Sequence, residues 1–233
     1  FLPLKILNID IGFLKFLTNN HLFSSIFVLL CFLFIINGSN LIDGFNGLLA
    51  INLIMINLVL TYINLERANL EFTFIVVSQI IVLLSFLLFN FPTAKIFIGD
   101  SGAYLMGSIT ALNVITTNNL NPNISSFFFC TLLFYLFFEV FFSFFRKLYL
   151  RRSPLKPDKQ HLHMLLYEFL NRSGRFKDSN YLNSIVINLI YISLILPVIF
   201  FNDNGLICKY WFFSLLILYI VFYSLLYSFA KKQ

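Results

Sequence analysis

Long apolar runs alternate with short polar connections along the chain. Residues 21–36, 48–63, 72–89, 103–117, 125–145, 183–201 and 211–229 are dominated by Leu, Ile, Val and Phe. Their lengths are close to the roughly 16 to 21 residues that carry a helix across about 30 Å of hydrocarbon. The runs are apolar on nearly every side. A membrane barrel would instead alternate apolar and polar positions, so helices are the expected way to satisfy the backbone in lipid. The pattern predicts an all-α, multi-pass transmembrane helical bundle of seven spans, forming one integral membrane domain over residues 1–233.

Composition agrees with that solvent. Hydrophobic residues make up 59% of the chain and charged residues 11%, with a mean hydropathy of +0.87, whereas soluble domains carry roughly 25% charged residues. The abundance of Phe, Ile and Asn is as consistent with genomic base composition as with function. Cys31, Cys130 and Cys208 show no CxxC spacing, which argues against a disulfide framework or a zinc site. The chain starts at Phe1 without a basic segment leading into a short apolar one, so it reads as a fragment with no visible signal peptide.

Charge then orients the bundle. Between the fifth and sixth runs lie Arg146, Lys147, Arg151, Arg152, Lys156, Lys159, Arg172, Arg175 and Lys177, which marks residues 146–182 as cytosolic by the positive-inside rule. Alternation makes 37–47, 90–102 and the tail with Lys231 and Lys232 cytosolic too. Of the 16 basic residues, 12 then lie inside and 4 outside (Lys5, Lys15, Arg67 and Lys209).

The same three connections hold the residues capable of chemistry. In NGSNLIDGFNGL (37–48), Asn37, Asn40 and Asp43 recur every three residues and share a face if the first span stays helical that far. Gly44 and Gly47 permit a tight turn. In NFPTAKIFIGDSGAYLMG (90–107), Asp100 and Ser101 sit at the mouth of a span, where a carboxylate can hold Mg²⁺ and free helix amides can bind phosphate oxygens. For Asp43, Asn46 and Asp100 the competing role is a helix cap. In RRSPLKPDKQHLHMLL (151–166), His161 and His163 stand beside Asp158, Arg151, Arg152 and Lys159. No further His or Cys in these loops completes a zinc site, so recognition of a phosphate group suits the pair better. Glu139 is the one acidic residue within a run. Its position seven residues before Arg146 favours an ion pair with Arg or Lys over a catalytic role.

Taken in order, NLIDGFNGL, KIFIGDSGAYLMG and PDKQHLHMLL resemble the cytosolic motifs of the polyprenyl-phosphate N-acetylhexosamine-1-phosphate transferases, the glycosyltransferase family 4 superfamily that includes phospho-N-acetylmuramoyl-pentapeptide transferase. The resemblance implies that Asn40 and Asp100 ligate Mg²⁺ or Mn²⁺ and that Asp43 places the nucleotide sugar or the metal shell. It implies that His161 and His163 contact the diphosphate or uridine end, with Asn37, Asn46, Ser101, Arg152 and Asp158 lining the substrate site. Many members have Asp where this chain has Asn46 and His where it has Met164, and the run of three histidines typical of the pentapeptide branch is absent. The family's adjacent pair of aspartates is also missing, as expected if the first spans lie outside this chain. The activity implied is transfer of N-acetylhexosamine 1-phosphate from a UDP-sugar to undecaprenyl or another polyprenyl phosphate in the bacterial inner (plasma) membrane, with release of UMP. The implied partners are the donor, the lipid, the membrane and a second copy in a homodimer, with no nucleic acid. Two other readings are an inactive relative and a lipid-binding or transport protein, the latter expected to show broken helices or internal repeats.

Overall fold

The computed structural model describes residues 5–154, 156, 158–172 and 179–231. Arg175, Lys177 and Lys232, counted above among the basic residues, lie outside them. Among the described residues ten helices follow in order: α1 (Gly12–Leu17), α2 (His21–Ile42), α3 (Leu48–Glu66), α4 (Leu70–Asn90), α5 (Gly99–Leu120), α6 (Ser126–Leu132), α7 (Phe134–Tyr149), α8 (Leu162–Arg172), α9 (Ser179–Ile199) and α10 (Gly205–Lys231).

Each of the seven apolar runs falls on helix, yet fewer than seven cross by length and composition. Among the described residues five helices qualify, α2, α3, α4, α9 and α10, or six if α6 and α7 together form one span. The run at 125–145 is not a single rod, because α6 and α7 meet at Leu133 with a 75° bend. The run at 103–117 lies in α5, whose 22 residues are long enough but include Ser108, Thr110, Asn113, Thr117 and Asn118. Together these features support an integral membrane protein with a multi-pass helical bundle.

The polar side chains of α5 are spent inside the bundle. Asn113 Nδ2 donates to Asn57 Oδ1 of α3 at 3.0 Å and to Gln79 Oε1 of α4 at 2.9 Å, and Gln79 Nε2 donates to Thr110 Oγ1 at 2.9 Å. One end further along, Asn64 Nδ2 donates to Thr117 Oγ1 at 2.9 Å and Asn69 Nδ2 to Asn121 Oδ1 at 3.2 Å. In hydrocarbon such bonds hold helices together where the hydrophobic effect does not, since lipid tails are as apolar as Leu. Replacing Asn113 with Ala strands two buried acceptors. We expect it to cost about 1–3 kcal/mol, seen as a lower thermal midpoint in detergent.

Small residues govern how α2 packs. A Cβ on Gly38 would overlap the backbone carbonyl of Leu136 on α7, and one on Gly107 of α5 would overlap the Ser39 side chain. Gly38 and Gly107 therefore let α2 approach α7 and α5 closely, immediately before the last helical turn and C-cap of α2 that carry Asn40 and Asp43.

The opposite end of the bundle is tied by the segment before α1. Asn8 Nδ2 donates to Ile124 O at 2.6 Å, and Asp10 accepts from the hydroxyl of Ser125.

Candidate functional site

At one end of the bundle the three connections identified in the sequence meet. The first is partly helical, since α2 runs through Ile42 and includes Asn37 and Asn40, with Asp43 at its C-cap. The turn to α3 is made by Gly47, whose φ of 76° requires glycine, and a side-chain cap is absent there among the described residues. Neither Asp43 nor Asn46 caps α3. Asn46 instead fastens the loops: its backbone N–H donates to Asn180 Oδ1 of α9 at 2.9 Å, and its Nδ2 donates to Pro92 O at 2.8 Å. Asn90, which sequence reasoning passed over, completes the fastening by accepting from Gly47 N at 2.7 Å and donating to Ile96 O at 2.8 Å. It stands where an apolar run gives way to a loop, a place where an Asn signals a junction.

Asp100 and Ser101 lie exposed in the first turn of α5, whose N-cap is Ile98, so Asp100 is not a capping residue. Facing them, Asn40 Nδ2 donates to Tyr104 Oη at 3.1 Å, one helical turn beyond Asp100. Among the described residues that bond leaves the Asn40 carbonyl oxygen without a partner. Asp43 is partly buried, and burial, with the Asp100 carboxylate adding to it, pushes its pKa from 3.8 up to about 7. Burial and a neighbouring carboxylate together make Asp43 costly to ionise, a cost that a bound divalent cation relieves. Among the described residues no three His, Cys, Asp or Glu side chains converge as a metal cage. Two carboxylates plus an amide oxygen fit Mg²⁺, which keeps several waters and takes its remaining ligands from substrate phosphates. Asn37 is exposed on the same helix and donates to Leu33 O at 2.6 Å.

The raised Asp43 pKa carries a sign. Between about 3.8 and about 7 the folded protein holds this proton more tightly than the unfolded chain does, so the stability it contributes is lost as pH rises through 7. Without divalent cation, thermal stability should fall from pH 5 to pH 8, and Asp43→Asn should flatten that decline in differential scanning fluorimetry.

The histidines lie deeper. His161 is 7% exposed and His163 fully buried, their rings stacked with centroids 5.5 Å apart and 6° between planes. Burial pushes the His163 imidazole down to about 4, against an opposing pull from the Glu139 carboxylate, so this ring is neutral at physiological pH. His163 Nδ1 lies 3.3 Å from Tyr135 Oη, its Nε2 has no hydrogen-bond partner among the described residues, and that nitrogen lies just beneath Gly44. Phe45 packs edge-on to His163, with ring centroids 5.8 Å apart. The histidine motif therefore supports the Asp43–Gly47 turn from below.

Glu139 does not pair with Arg146. Its Oε1 accepts from His161 Nδ1 at 3.0 Å and from Leu162 N at 3.1 Å, and its Oε2 accepts from Tyr219 Oη at 2.5 Å. Arg146 bonds to Asp158 at 3.0 Å and to Gln160 Oε1 at 2.6 Å. The helical spacing of seven was correct for a shared face, but the loop folding back beneath α7 supplied nearer partners to both groups. Burial raises the Asp158 pKa, and the Arg146 hydrogen bond with help from Gln160 N more than offsets it, holding this carboxylate below its ordinary value. Asp158 thus acts as a brace within the loop, while Arg152 is exposed at its edge.

Behind this network, Phe134, Tyr135, Leu162, Ile187, Tyr191 and Tyr219 line part of an apolar cavity of about 250 Å³ between α7, α9 and α10.

Undecaprenyl-phosphate alpha-N-acetylglucosaminyl 1-phosphate transferase of Thermotoga maritima is 28% identical over 199 residues, covering 84% of this chain and 55% of that protein. A match of that extent takes in the histidine loop wherever it begins. Phospho-N-acetylmuramoyl-pentapeptide-transferase of Leuconostoc citreum is 37% identical over 79 residues, or 34% of this chain and 25% of that protein. The chain thus spans about half the length of the first relative and a quarter of the second. The family model for glycosyl transferase family 4 matches residues 2–118, which contain the first two site loops. With half the chain matched by that model and the loops joined at one end of a membrane bundle, this protein belongs to glycosyl transferase family 4.

Proposed function

We propose that the full protein transfers N-acetylhexosamine 1-phosphate from a UDP-sugar to a polyprenyl phosphate, with Mg²⁺ or Mn²⁺ as cofactor, as an early step in building a cell-envelope glycan such as O-antigen or teichoic acid. The observation that carries this reading is the hydrogen bond from Asn40 to Tyr104, which ties the end of α2 that carries Asn40 and Asp43 to the first turns of α5, where Asp100 lies and its charge adds to the rise in the Asp43 pKa. Family membership and the names of the two relatives support it.

In the reaction, a phosphate oxygen of the lipid bonds to the sugar-bearing phosphorus, and the bond from that phosphorus to the bridging oxygen breaks. UMP departs with the bridging oxygen and its electron pair. Asn40, Asp43 and Asp100 would hold the cation, which offsets the diphosphate charge and stabilises the departing phosphate. Asp100 and Ser101, in the first turn of α5, place exposed polar groups and helix amides where phosphate oxygens can be met. Asn46 and Asn90 fix the loops around them. The apolar cavity between α7, α9 and α10 has the character a hydrocarbon chain requires.

The positive-inside distribution supports a site on the cytosolic face of the bacterial plasma membrane, where a soluble nucleotide sugar is accessible. Release of UMP from a panel of UDP-N-acetylhexosamines, given undecaprenyl phosphate and Mg²⁺, tests the reading and names the sugar. No UMP release from any of them would overturn it.

A further inference from the structure

The deepest charged group near the site is Glu139, 1% exposed on α7. Three donors converge on it from two parts of the chain: the His161 ring and the Leu162 backbone of the histidine loop, and the Tyr219 hydroxyl of α10. A carboxylate accepts but does not donate, so this arrangement dictates where hydrogens lie. The His161 Nδ1 must carry one, and the opposite nitrogen is then the atom presented toward the loop, where Asp158 Oδ1 lies 3.4 Å away. The 75° bend at Leu133 turns α7 beneath the loop, and Tyr135 and Glu139, one helical turn apart, then meet His163 and His161 respectively.

We propose that Glu139 is a positioning residue for sugar-phosphate transfer, acting through His161. It fixes the ring with Nδ1 as donor and ties it, through Tyr219, to α10. This inference rests on the transfer reading above. The charged and titratable groups around His161 are Glu139 and Tyr219 from α7 and α10, Asp158 and Arg146 from the loop and its anchor, and His163 stacked on its face.

His21, His161 and His163 are the histidines of this chain, and comparison with His161→Ala assigns the His161 signal in ¹⁵N spectra of the histidine-labelled full-length protein. Glu139→Gln keeps the side-chain volume but replaces one acceptor oxygen by an amide donor. The variant should lose the His161 Nδ1–H signature and lower kcat roughly 10- to 100-fold, with the KM for the UDP-sugar within about twofold, the size of effect typical of groups that orient a functional histidine. In a His161→Ala background, Glu139→Gln should lower kcat no further. If Glu139→Gln does not accumulate in membranes, Glu139→Asp, which keeps the charge, answers through the same spectra and double-mutant comparison. An unchanged ¹⁵N signature, or losses that multiply across the double variant, overturns the proposal. If the signature changes but neither Glu139→Gln nor His161→Ala alters transfer, Glu139 still holds the ring, and its role in the reaction is refuted. Absence of transfer in the wild-type protein would instead refute the activity, while the spectra still report the hold on His161.

Discussion

Asp100→Asn should reduce sugar-phosphate transfer by about 100-fold or more at saturating substrates, and added Mg²⁺ should not restore it. The substitution keeps the shape of the first turn of α5 and removes one full negative charge. It takes away the exposed carboxylate of the pair and leaves Asp43 and the Asn40 oxygen. Because burial is the larger cause of the raised Asp43 pKa and Asp100 the smaller, the same variant should move the pH-dependent loss of stability to lower pH without abolishing it. UMP release over a Mg²⁺ titration measures the first effect and scanning fluorimetry the second. Wild-type transfer by Asp100→Asn would remove Asp100 from the metal set.

Gly38→Ala should be nearly as damaging, although the residue touches no substrate. Its added Cβ meets a backbone oxygen of α7, which no rotamer change can clear. Relief requires α2 and α7 to separate, and overpacking of this kind costs about 1–3 kcal/mol. Asn40 and Asp43 lie within the next five residues of the same helix, so the displacement propagates into the site. We expect a lower thermal midpoint, weaker Mg²⁺ stabilisation and a loss of transfer of at least about tenfold. Unchanged midpoint and activity would show that the helices separate there without cost.

The sequence and structure agree where local pattern decides and part where tertiary neighbours decide. The apolar runs locate the helices, since a segment with no water to bond must satisfy its own backbone. The α6–α7 break escapes that logic: residues 130–136 read Cys-Thr-Leu-Leu-Phe-Tyr-Leu, with neither Gly nor Pro to announce a bend. The site was legible as three loops, and the structure joins them through Asn46, Asn90 and Asn180, of which only Asn46 was singled out in the sequence, as a possible cap or substrate contact. Glu139 was legible as a costly residue in need of a partner. Its partners are 22, 23 and 80 positions away, so helical periodicity pointed to Arg146 instead.

The polar face of α5 also bears on how the protein is made. A segment carrying Asn113 and Asn118 among its threonines gains less from entering lipid than its neighbours do. The side chains of other helices and turns that its Asn and Thr residues bond, Asn57, Asn64, Asn69 and Gln79, all precede it in the chain. Synthesis from the N-terminus therefore delivers α3 and α4 to the membrane before α5 emerges, and its docking site is in place when it arrives.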